Sequence, residues 1–432
     1  MHTTLEMNLI LQALFICFSL CISGASCFTL TSHRSPHPGV FLAATSDTPW
    51  NKDPNTMDRV TEISNGSLAE LCDTTKRACF VVRPLIAAFY ESLTASSIST
   101  KADSSAFTIA DGILQYLLAN YLFSGKKSNA KLFRAIVGEE ECQVNIEQTP
   151  YTVNNMIVPP EYTELIDNTK REILLLSQEI NTCDLYKNLT IFIDPIDGTK
   201  EFICGKGEDC TICIGFANEN GQPVAGVVYR PLDLPWAPHL GPTWAVGAKS
   251  ENYLDSYLDN SPRHRDDLLL TSTGTISPFL VALMQQLSYT RQKSGGAGNK
   301  MLMLLEGKGS AYIQDRGLSR WDTCAAQACL EAQGGILCKL TSFLSYSKEE
   351  GYTYLESQKN LDFEKGVANI NPYNSRLPGQ ARNRAYDVMD VKVYSNLCGL
   401  LALPCHMNTV ENKKKILEAA KSASKISAPA YD

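Results

Sequence analysis

Three short, well-separated motifs hold the carboxylates best suited to chemistry: Glu139 and Glu140 after Gly138, Asp194 and Asp197 in Asp194-Pro195-Ile196-Asp197-Gly198-Thr199, and Asp322 after Trp321. Hard divalent cations such as Mg²⁺ take oxygen ligands in near-octahedral geometry and keep several waters, so a few convergent carboxylates make a site for them. Asp194 and Asp197 suit that need. Pro195 restricts the backbone of Asp194, and Gly198 permits a tight turn that returns Asp197 and Thr199 towards one point. Taken alone, an Asp-x-x-Asp pair reads equally well as turn chemistry on a solvated loop. Here Ala135 to Val137 and Ile191 to Ile193 are apolar runs leading into the first two motifs, and Asp322 opens a helical pattern that closes at Gly334-Gly335. Each carboxylate is therefore expected at the end of a regular element, and rigid elements can bring distant carboxylates to the same cations.

The elements that must do this positioning are readable in outline. Ser67-Leu68-Ala69-Glu70 has capping-box spacing, and Leu68, Cys72, Cys79, Val82, Ile86, Phe89 and Leu93 form a helical stripe that Pro84 should kink. A second helix is expected from about Thr108, with Leu114, Leu117, Leu118 and Tyr121 inward and Asp111 in its first turn, where negative charge is favoured. Residues 141–187 read as a helix-containing excursion, since a bare loop of that length is unusual. Thr211 to Phe216 and Ala225 to Tyr229 read as a hairpin around Asn218-Glu219-Asn220-Gly221, with Thr243 to Val246 extending its sheet. Beyond residue 260 the pattern is strand (Leu268 to Thr271), helix (Pro278 to Leu287), helix (Asn299 to Glu306), strand (Ser310 to Ile313) and helix (Asp322 to Gln333), an alternation that indicates a second, α/β domain. Gly295-Gly296-Ala297-Gly298-Asn299-Lys300 places amides and an ammonium at a helix start; it reads as an anion site or, alternatively, as a turn followed by a solvent-facing lysine. Residues 342–390 are polar and poorly periodic. Val410 to Ser424 reads as a solvated, Lys-rich terminal helix.

In their order, GEE, DPIDGT and WD-x-x-A-A…GG resemble the lithium-sensitive, Mg²⁺-dependent phosphatase superfamily, which includes inositol monophosphatases, inositol polyphosphate 1-phosphatases and 3'(2'),5'-bisphosphate nucleotidases. The likeness runs from about Ser67 to Leu401. DPIDGTKEFI, GVVYRP and SGGAGNK…LLEGKGSAY…RWDTCAA are similar to the nucleotidase branch. The resemblance implies a layered αβαβα sugar-phosphatase fold, an N-terminal α+β domain followed by a C-terminal α/β domain. It implies two or three Mg²⁺ held by Glu139, Asp194, the Ile196 carbonyl, Asp197 and Asp322, with Asp194 bridging. Asp111 and Thr199 would hold and deprotonate the attacking water, and Thr199, Thr273, Gly296, Lys300 and Asp322 would contact the substrate. The implied reaction converts 3'-phosphoadenosine 5'-phosphate to AMP and phosphate. One segment departs from the branch: Ser272-Thr273-Gly274-Thr275-Ile276-Ser277 stands where the nucleotidases carry Arg-Ser-His. That keeps an inositol polyphosphate 1-phosphatase open as the alternative. An inactive phosphate-sensing homologue ranks lower, because every matched acid and Thr199 are intact.

The chain has 432 residues and a net charge of -7, which suits two domains and argues against a duplex nucleic-acid binder. A small phosphorylated molecule, a nucleotide bisphosphate or an inositol phosphate, remains a fitting partner if cations supply positive charge locally. Residues 9–22 form an apolar run too short to span a bilayer comfortably, followed by Ser23-Gly24-Ala25-Ser26-Cys27, and read as a signal peptide or, alternatively, an uncleaved anchor. From Phe28 to Ser46 there is no acid, the composition of a transit segment. Together they resemble the bipartite presequence of plastid proteins, with the secretory lumen as the competing destination and no membrane span after processing. Of 15 cysteines, the twelve beyond Cys27 lack regular disulfide spacing, which favours a reducing compartment. Cys210 and Cys213 lie in a strand pattern and are expected in the core, not on zinc. The expected organisation is a signal peptide over 1–27, transit segment and linker over 28–59, metal-binding α+β domain over 60–259, α/β domain over 260–409, and terminal helix and tail over 410–432.

Overall fold

The computed structural model describes residues 64–95, 100–124, 132–181, 183–259, 261, 265–316, 318–355, 394–396 and 398–430. The expected presequence and linker, and residues 356–390 of the polar stretch, lie outside the described residues. Helix α1 (Leu68–Ala95) begins where the Ser67 hydroxyl accepts from the Glu70 amide at 3.1 Å. The Glu251 carboxylate accepts from the Leu68 and Ala69 amides at 2.7 and 2.8 Å, so amides that a helix start leaves unpaired find an anion. Every residue of the expected stripe is buried. Helix α2 (Thr100–Tyr116) runs on into a wider π-helical segment over Leu117–Phe123. Asp111 is thus in a helix interior and not in a first turn. The polar run before Thr108 contains no Pro or Gly, so nothing stops the helix from extending back through it.

Strand β1 (Ala135–Gly138) is followed by a small antiparallel sheet of β2 (Val144–Asn145), β3 (Thr152–Val153) and β4 (Met156–Ile157), then α3 (Thr163–Ser177) and α4 (Asp184–Lys187). This is the helix-containing excursion between the first two acid motifs. Strand β5 (Thr190–Asp197), buried along its whole length, pairs parallel with β1. After the short α5 (Thr199–Ile203) come β6 (Thr211–Ala217), β7 (Pro223–Arg230), β8 (Thr243–Ala248) and β9 (Tyr253–Tyr257), which complete a six-stranded sheet in the order β1-β5-β6-β7-β8-β9. The expected hairpin is β6–β7, and the Thr243 strand does extend it.

The second half follows as β10 (Leu268–Thr271), α6 (Pro278–Leu287), β11 (Thr290–Lys293), α7 (Ala297–Leu305), β12 (Ala311–Gln314), β13 (Leu318–Ser319), α8 (Arg320–Ala332), β14 (Ile336–Lys339), α9 (Leu340–Tyr346), β15 (Ser395–Asn396), β16 (Leu400–Leu403) and α10 (Val410–Ile426). Five of these strands form a sheet ordered β11-β10-β12-β16-β14. Alternation along its strands assigns the two faces: Leu270, Tyr312, Leu400 and Ala402 pack with α7 and α8, while Leu269, Ile313, Leu401 and Leu403 pack with α6 and α10. The far face of the first sheet carries α1 and α2. The layers are therefore helix, sheet, helix, sheet, helix, the αβαβα arrangement expected. Helix α10 is only partly solvated, since Ile416, Ala419, Ala420 and Ala423 are buried among the α6 residues.

The central helix layer is held close by a cross-strand row of glycines, in which Gly215 pairs with Gly226 and Gly226 with Gly247. A Cβ on Gly215 would stand 2.5 Å from the Ala325 nitrogen, one on Gly226 2.6 Å from the Ala325 Cα, and one on Gly247 2.9 Å from the Cys329 Cα. No real side chain fits at those distances. The row is a trough into which α8 settles through Ala325, Ala328, Cys329 and Ala332, and that seat fixes where Asp322, in the first turn of α8, points.

Candidate active site

Asp194 and Asp197 occupy the last turns of the pleat in β5, where pairing with β6 slips: Asp194 lies opposite Cys213, but Asp197 lies opposite Thr211. The extra residue is a bulge, which re-aims side chains at a strand end and takes Pro195 and Ile196 out of regular pairing. Gly198 then turns at φ 98°, a left-handed conformation that favours glycine, and α5 begins with Thr199 exposed on its first turn. Asp322 comes from the first turn of α8, where its Oδ2 accepts from the Ser319 amide at 2.7 Å in a capping box. Carboxylate oxygens of Asp194, Asp197 and Asp322 all lie within 4.8 Å of one another.

Glu139 joins them from the end of β1, its amide donating to the Ile193 carbonyl at 3.1 Å and its carboxyl facing Asp194. Burial first, then the charges of Glu139, Asp197, Asp322 and Asp111, push the Asp194 carboxyl well above the usual carboxylate range. Burial and then Asp322 push Glu139 up to about 8. Asp111 is raised by burial and then by Glu140 and Glu139. Asp194 and Asp111 each keep a buried Oδ1 with no hydrogen-bond partner. Crowded carboxylates and unpartnered buried oxygens leave an excess of negative charge, and hard cations are the chemistry that fits such an oxygen set.

Sequence reasoning missed the residue that holds the Glu139 segment. Gln115, one helical turn beyond Asp111 on α2, donates through Nε2 to the Glu140 carbonyl at 2.5 Å and accepts the Glu140 amide at 2.9 Å. Its amide also occupies the space that a Cβ on Gly138 would need. The i, i+4 spacing of Asp111 and Gln115 was the available signal, because such residues share a helix face. Gln115→Ala is expected to cost about 1–2 kcal/mol of unfolding free energy in a denaturant titration, since it strips the partners from both the amide and the carbonyl of Glu140.

On the other side, the amides expected to bind an external anion are already taken. Ala297 and Gly298 donate to Asp197 at 2.9 and 2.6 Å, and Thr211 adds a hydroxyl at 3.0 Å. Asp197 is thus the anion at the start of α7. Lys300 is buried and not solvent-facing; its ammonium donates to the carbonyls of Ser294, Gly295 and Gly296. Gly296, at φ 51°, has no room for a side chain, because a Cβ would lie 2.8 Å from the Asp197 Oδ2. Thr273 donates to Glu201 at 2.7 Å, and Ile276 packs against the outer apolar cluster of the second sheet. Asp209, also missed, accepts from the Gly295 amide at 3.0 Å and from Asn299 at 2.9 Å. Cys213 is buried in β6 and Cys210 immediately precedes that strand, the core placement expected of both.

The Inositol monophosphatase family model matches residues 163–362. The chain is 31% identical over 206 residues to 3'(2'),5'-bisphosphate nucleotidase 1 of Mus musculus, covering 46% of this chain and 63% of that protein. With the Homo sapiens protein of the same name it shares 31% identity over 233 residues, 51% of this chain and 71% of the relative. The chain belongs to the inositol monophosphatase family. Its match spans a little under two thirds of the mouse relative's length. A solved structure, inositol monophosphatase II from Staphylococcus aureus, aligns at 15% identity and a TM-score of 0.43 over 82% of this chain and 96% of that one, too loosely to argue from. Within the family match lie Asp194, Asp197, Thr199, Thr273, Gly296, Lys300 and Asp322, while Asp111 and Glu139 precede it.

Proposed function

We propose that the chain is a Mg²⁺-dependent phosphomonoesterase that removes the 3'-phosphate of 3'-phosphoadenosine 5'-phosphate, leaving AMP. The observation that carries this reading is the convergence of Asp194, Asp197 and Asp322 from separate elements within 4.8 Å, with Asp194 buried. Glu139, Asp194, Asp197, Asp322 and the Ile196 carbonyl would hold two or three cations. When bound, these would lower the pKa of a water and offset charge on the phosphoryl oxygens. The chain's own groups do the positioning. The Thr199 hydroxyl accepts from the attacking water while donating to a carboxylate, and Asp111, whose proton affinity is raised by burial and its acidic neighbours, takes up the proton. Phosphoryl transfer asks little covalent work of a protein, so placement and charge compensation dominate.

The nucleotide is preferred because the Mus musculus and Homo sapiens relatives carry the name bisphosphate nucleotidase. Ile276, which stands where the nucleotidases carry His, motivates the alternative, an inositol polyphosphate substrate. Steady-state kcat/KM on both substrates decides: the nucleotide should lead, and a preference of about a hundredfold, or ~2.7 kcal/mol, for the inositol phosphate would overturn the choice.

The raised Glu139 carboxyl gives a pH test. Its folded pKa, about 8, exceeds that of an unfolded glutamate, so protonation favours the metal-free fold at low pH, and this contribution is lost as pH rises through about 8. A cation must displace that proton, so the rise in Tm on adding Mg²⁺ is expected to be larger at about pH 8.5 than at about pH 6.5 by differential scanning fluorimetry. An equal or smaller rise at the higher pH would remove Glu139 from the ligand set.

A further inference from the structure

Three of the motifs that set this chain's resemblance apart, GVVYRP, SGGAGNK and LLEGKGSAY, meet in a buried polar network behind the acidic cluster. Arg230, at the end of β7 and 2% exposed, donates from Nε and Nη2 to the Asn299 Oδ1 at 2.9 and 2.5 Å, and from Nη1 to the Glu306 carboxylate at 3.0 Å and to Thr243. Lys308 bridges Glu306 at 2.9 Å and Asp259 at 2.7 Å. Two cations and two anions therefore balance out of contact with solvent. Burying such pairs costs desolvation that their attraction scarcely repays, so the network is poorly explained as a source of stability and better explained as a means of fixing geometry.

What it fixes is Asn299. With its carbonyl oxygen held by Arg230, the Asn299 side chain must aim its Nδ2 the other way, where it donates to Asp209 at 2.9 Å and to the Ser294 hydroxyl at 2.7 Å. Asp209 in turn accepts the Gly295 amide at 3.0 Å, and the loop so anchored presents the Ala297 and Gly298 amides to Asp197. A carboxylate held by amides and a hydroxyl is fixed in position while its remaining lone pairs stay available. We propose that Arg230 and Asn299 are positioning residues, which orient the glycine loop so that Asp197 is held ready as a cation ligand. This rests on the reading of the acidic cluster as a metal site.

Asn299→Asp separates positioning from stability. The new carboxylate still accepts from Arg230, so the buried guanidinium keeps its partner, but it has nothing to donate to Asp209 or Ser294 and repels Asp209. Two readouts apply to the full chain: hydrogen–deuterium exchange of the peptide covering residues 294–299 without metal, and binding of Mn²⁺ alone by titration calorimetry. The expected result is faster exchange confined to that peptide and Mn²⁺ affinity reduced by about tenfold or more, the scale seen when a ligand's hydrogen-bonded support is removed. Arg230→Lys, which cannot make the forked contact to Asn299, should move both readouts in the same direction. Exchange and affinity unchanged in folded Asn299→Asp would overturn the proposal. Should Asn299→Asp fail to fold, unchanged exchange and affinity in Arg230→Lys would overturn it equally. If wild-type protein binds no Mn²⁺, the metal-site reading falls and this proposal's role for Asp197 falls with it; Mn²⁺ binding that tolerates both variants defeats only the positioning role.

Discussion

Asp194→Asn is expected to lower kcat by about a thousandfold or more, equivalent to ~4 kcal/mol of lost transition-state stabilisation, because under the proposed function it would remove a carboxylate needed to hold the cations. The same change should leave the metal-free protein at least as stable as wild type. Asp194 is buried among Glu139, Asp197, Asp322 and Asp111, all of which oppose its charge, so a neutral amide relieves repulsion. Activity and stability should therefore move apart, which general damage to the fold could not produce. Retention of more than about a tenth of wild-type kcat, or ~1.4 kcal/mol, would contradict the bridging role.

Gly226→Val carries the largest expected loss of stability. Its Cβ would stand 2.6 Å from both the Cα and the carbonyl oxygen of Ala325, which are backbone atoms that no rotamer change can move aside. Either α8 lifts from the sheet or β7 bends, and overpacking of this kind costs about 3 kcal/mol or more. Lifting α8 also withdraws Asp322 from the cluster, so cation binding should weaken together with the fall in Tm. Gly274→Ala is the stability control, because a Cβ there meets nothing within 4 Å. A Tm for Gly226→Val within a degree or two of wild type would show that the trough is not a close-packed seat.

The acid motifs and the first strands and helices of the second half were legible in the sequence because local signals sufficed there, whereas β11, β14 and β16, three of the five strands of its sheet, were not anticipated. Leu268–Thr271 and Pro278–Leu287 fall where their apolar pattern places them. The layered order was legible only through the resemblance, since single-strand alternation does not say which sheet faces which helix. The start of α2 was not legible, because a polar run without Gly or Pro carries no stop signal, and so the setting of Asp111 was misread. The glycine-loop anion site failed for a different reason. The motif correctly announced amides awaiting an anion, but the anion proved to be Asp197, about a hundred residues upstream in the chain. Lys300 followed the same logic: its ammonium braces the loop carbonyls, a role that depends on tertiary closure. Asp209 and Arg230 act through contacts between distant segments, which no spacing encodes, and for Gln115 the helix face shared with Asp111 was the one local signal.

Convergent carboxylates that serve cation-dependent phosphate release make the activity depend on added metal. The most direct measurement is inorganic phosphate freed from 3'-phosphoadenosine 5'-phosphate by chelator-stripped protein, with and without added Mg²⁺. The expected result is release that is absent in EDTA, restored by Mg²⁺, and reduced when Li⁺ is added as the family resemblance implies. Phosphate release at the same rate in EDTA, or none on any phosphomonoester at saturating Mg²⁺, would contradict a cation-dependent role for these carboxylates.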